Sequence, residues 1–245
     1  MTDAESQQIM ARNVQAARQA KVWQTNFGFA DAIAVNLPSR LFERSDLIEH
    51  IHHCVTTVGV PHRVIMLEIT EGQLMKDLQN VIPSLHRLNE IGVEISIDDF
   101  GTGYSSLAYL TTLPISELKI DRGFIRDLGM TPQSSAVVTA IIALARSLGL
   151  RVIAEGVETR RQMEVLHRLG CSVMQGFLFS KPKPADEIQP WLEDTVLPKL
   201  TSWLGPAADE DPSDPLRERS RDDAGRESKP AVPAQLQERA PNNAN

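Results

Sequence analysis

Six short runs of apolar residues, rich in Val and Ile, recur along this chain and alternate with segments of helical periodicity. This alternation is typical of βα units on a parallel sheet, because each crossover helix returns the chain to the same end of the sheet. The sequence therefore predicts an α/β fold with parallel strands. The predicted strands cover residues 32–37, 64–69, 94–98, 117–120, 151–155 and 172–175.

The predicted helices between these strands stop at glycines, since glycine readily adopts the left-handed conformation that ends a helix. They cover residues 74–91, 134–148 and 159–169, and the glycines are Gly92, Gly149 and Gly170. An amphipathic helix is predicted at residues 4–23, and a last one from Ala185 toward Trp203. The sequence therefore begins on a helix.

The predicted strands fit an incomplete (β/α) barrel of the TIM type, with six of the eight strands. A closed barrel has eight strands, so six leave two edges with unpaired backbone donors and acceptors. A doubly wound open sheet is the alternative. That fold normally places a Gly-rich phosphate loop after its first strand, and the Asn-Leu-Pro-Ser that begins at Asn36 is not such a loop.

Charge and hydropathy limit the partners of the chain. The formal net charge of −7 argues against DNA binding, because phosphate backbones require clustered Lys and Arg. The most apolar window, residues 136–145, is much shorter than a bilayer span, so no membrane segment is expected. Cys54 and Cys171 lie far apart in sequence, and a reduced cytoplasmic protein with both as core residues is the simpler interpretation.

Composition changes sharply near Gly205. The residues after it are rich in Pro and mixed charges and contain hardly any large apolar side chains. Such a segment cannot bury enough surface to offset the entropy of ordering it. We therefore expect one domain over residues 1–204 and a disordered tail over residues 205–245.

A polar residue stands at or near the end of every predicted strand. These residues are Asn36, Glu68, Asp98 with Asp99, Lys119, Glu155 and Gln175. Because the C-terminal ends of barrel strands converge on one rim, the side chains are expected to meet there. Clustered carboxylates need cations to offset their repulsion, and oxygen ligands favour Mg²⁺ or Mn²⁺ over zinc. The sequence therefore predicts two such ions, which can clamp the attacking and leaving oxygens of a phosphodiester.

Each of these acids also has a simpler explanation when it is taken alone. An acid at a strand end is usually a helix cap or a solvated loop residue. Polar residues at six consecutive strand ends favour a shared site instead. Lys119 would then orient a water molecule or neutralise developing negative charge.

Six motifs in the chain resemble those of the EAL domains, a family that hydrolyses cyclic di-GMP to its linear dinucleotide, pGpG. They occur in the family's order and spacing. They are Val-Asn-Leu at 35–37, Leu-Glu-Ile-Thr-Glu at 67–71, Asp-Asp-Phe-Gly-Thr-Gly-Tyr-Ser-Ser-Leu at 98–107, Leu-Lys-Ile-Asp at 118–121, Ala-Glu-Gly-Val-Glu at 154–158 and Gln-Gly-Phe at 175–177. The resemblance implies a TIM-type barrel of the EAL class and a cyclic-guanylate-specific phosphodiesterase of bacterial second-messenger signalling.

The same resemblance implies a set of ligands for two Mg²⁺ or Mn²⁺ ions. Asn36, Glu68 and Asp98 would bind the first ion. Asp98, Asp99 and Glu155 would bind the second, so Asp98 would bridge the two.

Two further residues take part in catalysis by this resemblance, together with Glu155. Lys119 would act on the hydrolytic water. Gln175 would help to position the nucleotide or a water molecule.

The resemblance also implies residues that support a loop at 99–106 and a homodimer formed through it. Glu71 would hold this loop in place, and Glu158 would support the loop or the dimer contact. Independently of the resemblance, Gly101 and Gly103 make residues 100–105 a flexible turn, for which an ordinary βα connection is the alternative.

The Glu-Ala-Leu tripeptide that names the family does not occur in this sequence. In the family it lies on the second strand, and its glutamate binds the first metal. We therefore expect an N-terminally truncated domain without its first two strands, in agreement with the six predicted strands. Besides an active enzyme, this leaves a catalytically inactive cyclic di-GMP receptor or protein-interaction module, and a fragment of a longer active enzyme.

Two weaker patterns have simpler explanations. His50 and His53 share a helix face, but a solvated face is preferred to a zinc site because no second pair of ligands is visible. The Lys-Pro-Lys-Pro segment at 181–184 could draw a phosphate toward the rim. Its prolines mainly stop the last strand and precede a helix.

Overall fold

The computed structural model describes residues 3–27, 32–103 and 107–191. The strands are β1 (Ile33–Asn36), β2 (Ile65–Thr70), β3 (Glu94–Phe100), β4 (Glu117–Ile120), β5 (Arg151–Ala154) and β6 (Val173–Met174). The α-helices are α1 (Asp3–Phe27), α2 (Leu47–Val58), α3 (Glu71–Lys76), α4 (Leu78–Glu90), α5 (Leu107–Leu110), α6 (Arg122–Arg126), α7 (Pro132–Ser147), α8 (Arg160–Arg168) and α9 (Ala185–Trp191). Two 3₁₀ segments are Ser39–Glu43 and His62–Val64.

The chain divides into two compact units, Met1–Gln189 and Pro190–Asn245, and all the described strands lie in the first. The predicted tail at 205–245 lies outside the described residues. So does the predicted continuation of the last helix toward Trp203.

The six strands form one parallel sheet in the order β1-β2-β3-β4-β5-β6. Each strand pairs with the next along the chain, as consecutive βα units do. Within the described residues, β1 and β6 are the edges of the sheet, which is a curled half-barrel. The prediction of an α/β fold with six parallel barrel strands is confirmed.

One row of paired residues is polar across five strands. Asn36 pairs with Glu68, and Glu68 with Ser96. Ser96 pairs in turn with Glu117, and Glu117 with Arg151. Because the strands are staggered, this row starts at the last residue of β1 and reaches the first residue of β5. Side chains in such a row share one face of the sheet, so the row descends from the rim to the opposite end of the strands.

The interior of the sheet is apolar apart from a few charged groups. All of β4 and the first five residues of β2 are buried, which is typical of parallel strands covered on both faces. Glu68 on β2, Ser96 on β3, and Glu117 and Lys119 on β4 are also buried. Buried polar groups require partners, so their contacts decide what this interior does.

The continuous helix predicted at 74–91 is wrong. Helix α3 ends at Lys76 and α4 begins at Leu78, and Asp77 between them has φ −142° and ψ 42°. The Asp77 carboxylate accepts a hydrogen bond of 2.7 Å from Asn80 Nδ2. Local bonds of this kind compete with helical backbone bonding, which explains the break.

Two expectations from composition can be compared with the structure. Cys54 and Cys171 are buried free thiols, as predicted, and burial raises the pKa of both. Among the described residues, no helix combines the length and apolarity needed to cross a bilayer.

Candidate active site

Lys119 lies on β4 with its ammonium among carboxylates. Its Nζ is 2.7 Å from Glu68 Oε1, 2.7 Å from Glu155 Oε1 and 3.5 Å from Asp98 Oδ1. The side chain is only 5% exposed. Strand alternation directs Lys119 to the inner face while its apolar neighbours pack on the other. The structure thus brings four of the predicted strand-end residues into one cluster.

The charge of Lys119 is fixed by this environment. Burial by itself would lower the pKa of Lys119, because desolvation disfavours the ammonium. Hydrogen bonds and charge from Glu155 and Glu68 outweigh burial and raise the pKa of Lys119 well above its ordinary value. Lys119 therefore keeps its proton at neutral pH and serves as a hydrogen-bond donor.

Asp98 and Asp99 lie at an irregularity of β3. Pairing with β4 shifts register between Ile97 and Phe100. Asp99 has φ 55°, a left-handed conformation that Asp and Asn tolerate better than most residues. Its backbone N–H donates to Asp98 Oδ1 at 2.9 Å. Such a bulge re-aims side chains at a strand end, and here two consecutive carboxylates reach the same rim.

Asp98, Asp99 and Glu155 form a group of acids whose geometry suits a metal ion. One carboxylate oxygen of each lies within 4.8 Å of the others. Burial raises the pKa of Asp99, and the negative charges of Asp98 and Asp121 raise it further. Burial also raises the pKa of Glu155 against the lowering effect of Lys119. The carboxyl groups of these acids lie close together, and their ionised forms are disfavoured. A hard divalent cation such as Mg²⁺ or Mn²⁺ would bind their oxygens and offset the negative charge.

The other predicted ligands lie at the same end of the sheet. Asn36 is exposed and pairs in register with Glu68. Glu68 is outside the group of three acids and contacts Lys119 instead. Gln175 follows β6, where its backbone N–H donates to the carbonyl of Ala154 at 2.9 Å, and its side chain is exposed. The roles assigned to these residues stay predictions.

Glu71 contacts the segment that follows Asp99. Its side chain is fully buried, and its Oε2 accepts a 2.7 Å hydrogen bond from the backbone N–H of Gly101. Gly101 has φ 98°, and a Cβ at Gly103 would lie 2.7 Å from Glu71 Oε1. Gly101 therefore requires glycine, and a side chain at Gly103 would displace the Glu71 carboxylate. Residues 104–106 of the predicted dimerisation loop lie outside the described residues.

Glu158 has an exposed side chain, and its predicted supporting role stays a prediction. Its backbone N–H donates to Gln162 Oε1 at 2.8 Å. Gln162 is buried, and its Nε2 donates to the carbonyls of Ile125 and Arg126 at 3.0 and 3.2 Å. Gln162 thus ties the turn at Glu158 to α6. Sequence reasoning overlooked it, although the capping-box pattern that starts at Thr159 marks it.

Asp121 is a second residue that sequence reasoning left out of the site. Its carboxylate accepts a 2.8 Å hydrogen bond from the Gly123 N–H and caps α6. It also raises the pKa of Asp99. Its position two residues after Lys119 indicates that it belongs to the site, because alternate residues of a strand face the same side.

The fold and the rim cluster together define a class of protein. A parallel α/β barrel sheet with charged side chains gathered at its C-terminal strand ends is the arrangement of (β/α)-barrel enzymes. The family model described as EAL domain matches residues 6–182. The chain belongs to the EAL domain family, and the predicted family is confirmed.

Known proteins agree with this assignment. The bifunctional diguanylate cyclase/cyclic di-GMP phosphodiesterase MucR of Pseudomonas aeruginosa is 46% identical over 175 residues, which cover 71% of this chain and 25% of MucR. The chain therefore spans about a quarter of the length of this relative. Because MucR is named as a cyclic di-GMP phosphodiesterase, the enzyme class expected of the family is confirmed at the family level.

Two solved structures share the fold. That of the PaMucR phosphodiesterase in complex with c-di-GMP has a TM-score of 0.72 and 43% identity, and the match covers 76% of this chain and 75% of that chain. That of Klebsiella pneumoniae BlrP1 with manganese and c-di-GMP has a TM-score of 0.67 and 27% identity, and covers 74% of this chain and 46% of that chain. A divalent ion accompanies cyclic di-GMP in the BlrP1 structure.

Proposed function

We propose that this chain carries the catalytic site of a metal-dependent phosphodiesterase that hydrolyses cyclic di-GMP to pGpG. The observation that carries the proposal is the position of Lys119, whose ammonium lies 2.7 Å from both Glu68 and Glu155 and 3.5 Å from Asp98. Hydrolysis of a phosphodiester develops negative charge, and a rim with a fixed donor and several metal-ligating oxygens suits that charge.

Two Mg²⁺ or Mn²⁺ ions are proposed as cofactors. Asp98, Asp99 and Glu155 would hold one ion, and Asn36, Glu68 and Asp98 the other. When bound, such ions lower the pKa of a coordinated water and balance charge on the phosphate oxygens. The crowding of Asp98, Asp99 and Glu155 within 4.8 Å supports this ligand set.

The proposed role of Lys119 follows from its protonation. Glu155 and Glu68 raise the pKa of Lys119 despite burial, so its side chain is a hydrogen-bond donor in this arrangement. We therefore assign it to orienting the water or stabilising a developing oxyanion. Gln175, exposed at the end of β6, would help to position the nucleotide.

We also propose a homodimer formed through the loop that follows Asp99. The buried contact of Glu71 with Gly101 connects that loop to the end of β2, next to Glu68. Tyr109 on α5, just beyond the loop, is 44% exposed, which suits a residue at a protein contact. A cytoplasmic location is proposed from the two buried free thiols.

The test is a turnover assay of the purified 245-residue chain. We expect cyclic di-GMP to be converted to pGpG with Mg²⁺ or Mn²⁺, and conversion to stop with EDTA or in Asp98→Asn. The matched control is Asp127→Asn. Asp127 is 56% exposed and follows the last residue of α6, after β4 has ended.

Each outcome of the assay has a meaning. Turnover that persists in EDTA or in Asp98→Asn contradicts the metal-dependent mechanism. Binding of cyclic di-GMP without turnover would show a receptor instead of an enzyme. Chromatography of the nucleotides distinguishes pGpG from unreacted substrate.

A further inference from the structure

The turn after β6 is rigidly attached to the strand that leads to Glu155. The backbone N–H of Gln175 donates to the Ala154 carbonyl at 2.9 Å, and the Val157 N–H donates to the Gln175 carbonyl at 3.0 Å. The Leu178 N–H then donates to the Val157 carbonyl at 3.0 Å. These bonds fix the turn on both sides of Phe177, so the position of Phe177 relative to Glu155 is set by the backbone.

Gly176 brings this turn close to Val157. A Cβ at Gly176 would lie 2.2 Å from the carbonyl oxygen of Val157 and 2.3 Å from its nitrogen, so a larger residue cannot be accommodated. Val157 is two residues beyond Glu155 in sequence. The turn is therefore packed directly against the segment that carries a rim acid.

Phe177 projects from this fixed turn into solvent. It is 60% exposed, whereas the next residues, Leu178 and Phe179, are partly buried and pack against the core. The two following side chains thus supply the packing of this segment, and Phe177 leaves its ring on the surface of the described residues. A large aromatic side chain held on a rigid turn beside a site is a suitable surface for a planar ligand group.

A lysine lies next to the exposed ring. Lys181 Nζ is 5.9 Å from the centroid of Phe177, within cation–π range. Lys183, two residues further on, instead pairs with Glu187 at 3.6 Å. Among the described residues, no ion pair joins Lys181 to a carboxylate in this way. Lys181 is therefore a cation available to an anionic ligand in a chain of net charge −7.

We propose that Phe177 and Lys181 bind one nucleotide unit of the substrate, with the guanine base stacked on the Phe177 ring and the Lys181 ammonium near a phosphate. This inference deepens the proposed function, on which it rests, by naming residues that bind the base and the phosphate of the dinucleotide. Stacking of a base on an aromatic ring depends little on which base is stacked, and it requires one exposed face of the ring. Lys181 adds charge where the phosphate approaches the acidic rim.

The first test measures the dissociation constant of cyclic di-GMP for the full chain, by calorimetry with Ca²⁺. Phe177→Ala should weaken binding by roughly 5- to 100-fold, the range expected for loss of one base stack. Phe177→Trp should restore binding, because it keeps an aromatic face. The control is Val173→Ala on the same strand-turn segment, since Val173 is also exposed, at 45%, and should not change binding.

The second test uses the two lysines and a substrate without a base. Lys181→Met should weaken cyclic di-GMP binding several-fold, whereas Lys183→Met should not. With Mn²⁺, Phe177→Ala should lower kcat/KM for cyclic di-GMP by a larger factor than for bis(p-nitrophenyl) phosphate, since that substrate has no purine to stack.

The outcomes separate the inference from the proposed function. Unchanged binding in Phe177→Ala, or equal effects in Lys181→Met and Lys183→Met, would overturn the inference alone. Equal loss of activity toward both substrates in Phe177→Ala would also overturn it, because the ring would then act on the fold or the metal site. A chain that neither binds nor hydrolyses cyclic di-GMP would overturn the proposed function as well.

Discussion

Two clusters of charged residues lie at opposite ends of the same strands, and they bury opposite charges. In the rim cluster (Glu68, Asp98, Lys119 and Glu155), a buried ammonium is surrounded by carboxylates. In the basal cluster (Glu94, Ser96, Glu117 and Arg151), a buried carboxylate is the central group. Glu117 accepts a 2.9 Å hydrogen bond from Ser96 Oγ and lies 3.4 Å from Arg151 Nε.

The two central groups respond differently to burial. The partners of Lys119 outweigh burial, so its pKa moves in the direction that favours the charged form. For Glu117, burial outweighs the lowering effects of Ser96 and Arg151, and the pKa of Glu117 is raised, which disfavours the charged form. Arg151 is 45% exposed, so solvent screens its attraction to Glu117.

The fold depends on charge differently at the two ends of its strands. At the rim, Lys119 and the neighbouring carboxylates stabilise one another. These carboxylates carry more negative charge than Lys119 neutralises, so the rim can also bind a cation. At the base, the partners of Glu117 compensate incompletely for burial, so burial disfavours its ionised form. The rim should therefore be sensitive to loss of charge, and the base should tolerate it.

The largest expected effect is the loss of the rim cation. Lys119→Met would leave Glu68 and Glu155 buried without their partner, and we expect a loss of about 3–5 kcal/mol in the free energy of unfolding without metal. Urea titration in EDTA measures this loss. Lys76→Met, at the exposed end of α3, is the control and should change stability by less than about 0.5 kcal/mol. Equal stability of Lys119→Met and the unmodified chain would refute the interpretation of the rim cluster.

Metal binding tests the excess of acids at the rim. Mn²⁺ at 100 times its dissociation constant should raise the free energy of unfolding by about 2.7 kcal/mol, because only the folded chain assembles the ligands. Asp98→Asn should remove most of this gain, and Glu117→Gln should keep it. The measurement is urea unfolding at several Mn²⁺ concentrations. A gain that is lost in Glu117→Gln but kept in Asp98→Asn would reverse the assignment of the two clusters.

Removal of the basal hydrogen-bond donor should have an intermediate effect. Ser96 is fully buried, and Ser96→Ala would leave the Glu117 carboxylate without a donor 2.9 Å away. We expect a loss of about 1.5–3 kcal/mol at pH 7, the usual range for a hydrogen bond to a charged group. The same substitution in a Glu117→Gln background should cost less, since the acceptor is then neutral. An equal loss in both backgrounds would show that packing, not charge, explains the effect.

The rim cluster could be predicted from sequence because its signal is local to each strand. Glu68 and Glu155 each follow an apolar run, and Lys119 lies near the end of a short predicted strand. The rule that parallel strands end at one rim brings them together. The order of the strands and their number follow from the same alternation of apolar runs and helices. Nothing about individual side-chain contacts is needed for these conclusions.

The basal cluster and the bulge could not be predicted in the same way. Contact of Ser96 with Glu117 depends on the stagger between β3 and β4, which periodicity does not specify. The left-handed conformation of Asp99 likewise depends on the register shift beside it. The break at Asp77 reflects a competition between local hydrogen bonds and helix formation that an apolar pattern does not reveal.

The smallest expected effect is the removal of the basal charge itself. Glu117→Gln keeps an acceptor for Ser96 and removes a carboxylate whose pKa is raised by burial, so we expect a gain of less than about 1 kcal/mol at pH 7. A raised folded-state pKa penalises the ionised folded chain above that pKa. The penalty disappears as pH falls toward the ordinary value of 4.5, and the gain of the variant should disappear with it.

Paired urea titrations of Glu117→Gln and the unmodified chain between pH 7 and about pH 4.5 measure this difference directly, without the contributions of other groups. Glu94→Gln is the matched control, because Glu94 also contacts Arg151, at 3.1 Å, but is 36% exposed and should give little pH-dependent difference. If Glu117→Gln instead loses stability at pH 7 and recovers it at low pH, Arg151 and Ser96 outweigh burial. The two clusters would then stabilise their central charges alike, and the contrast between them would fail.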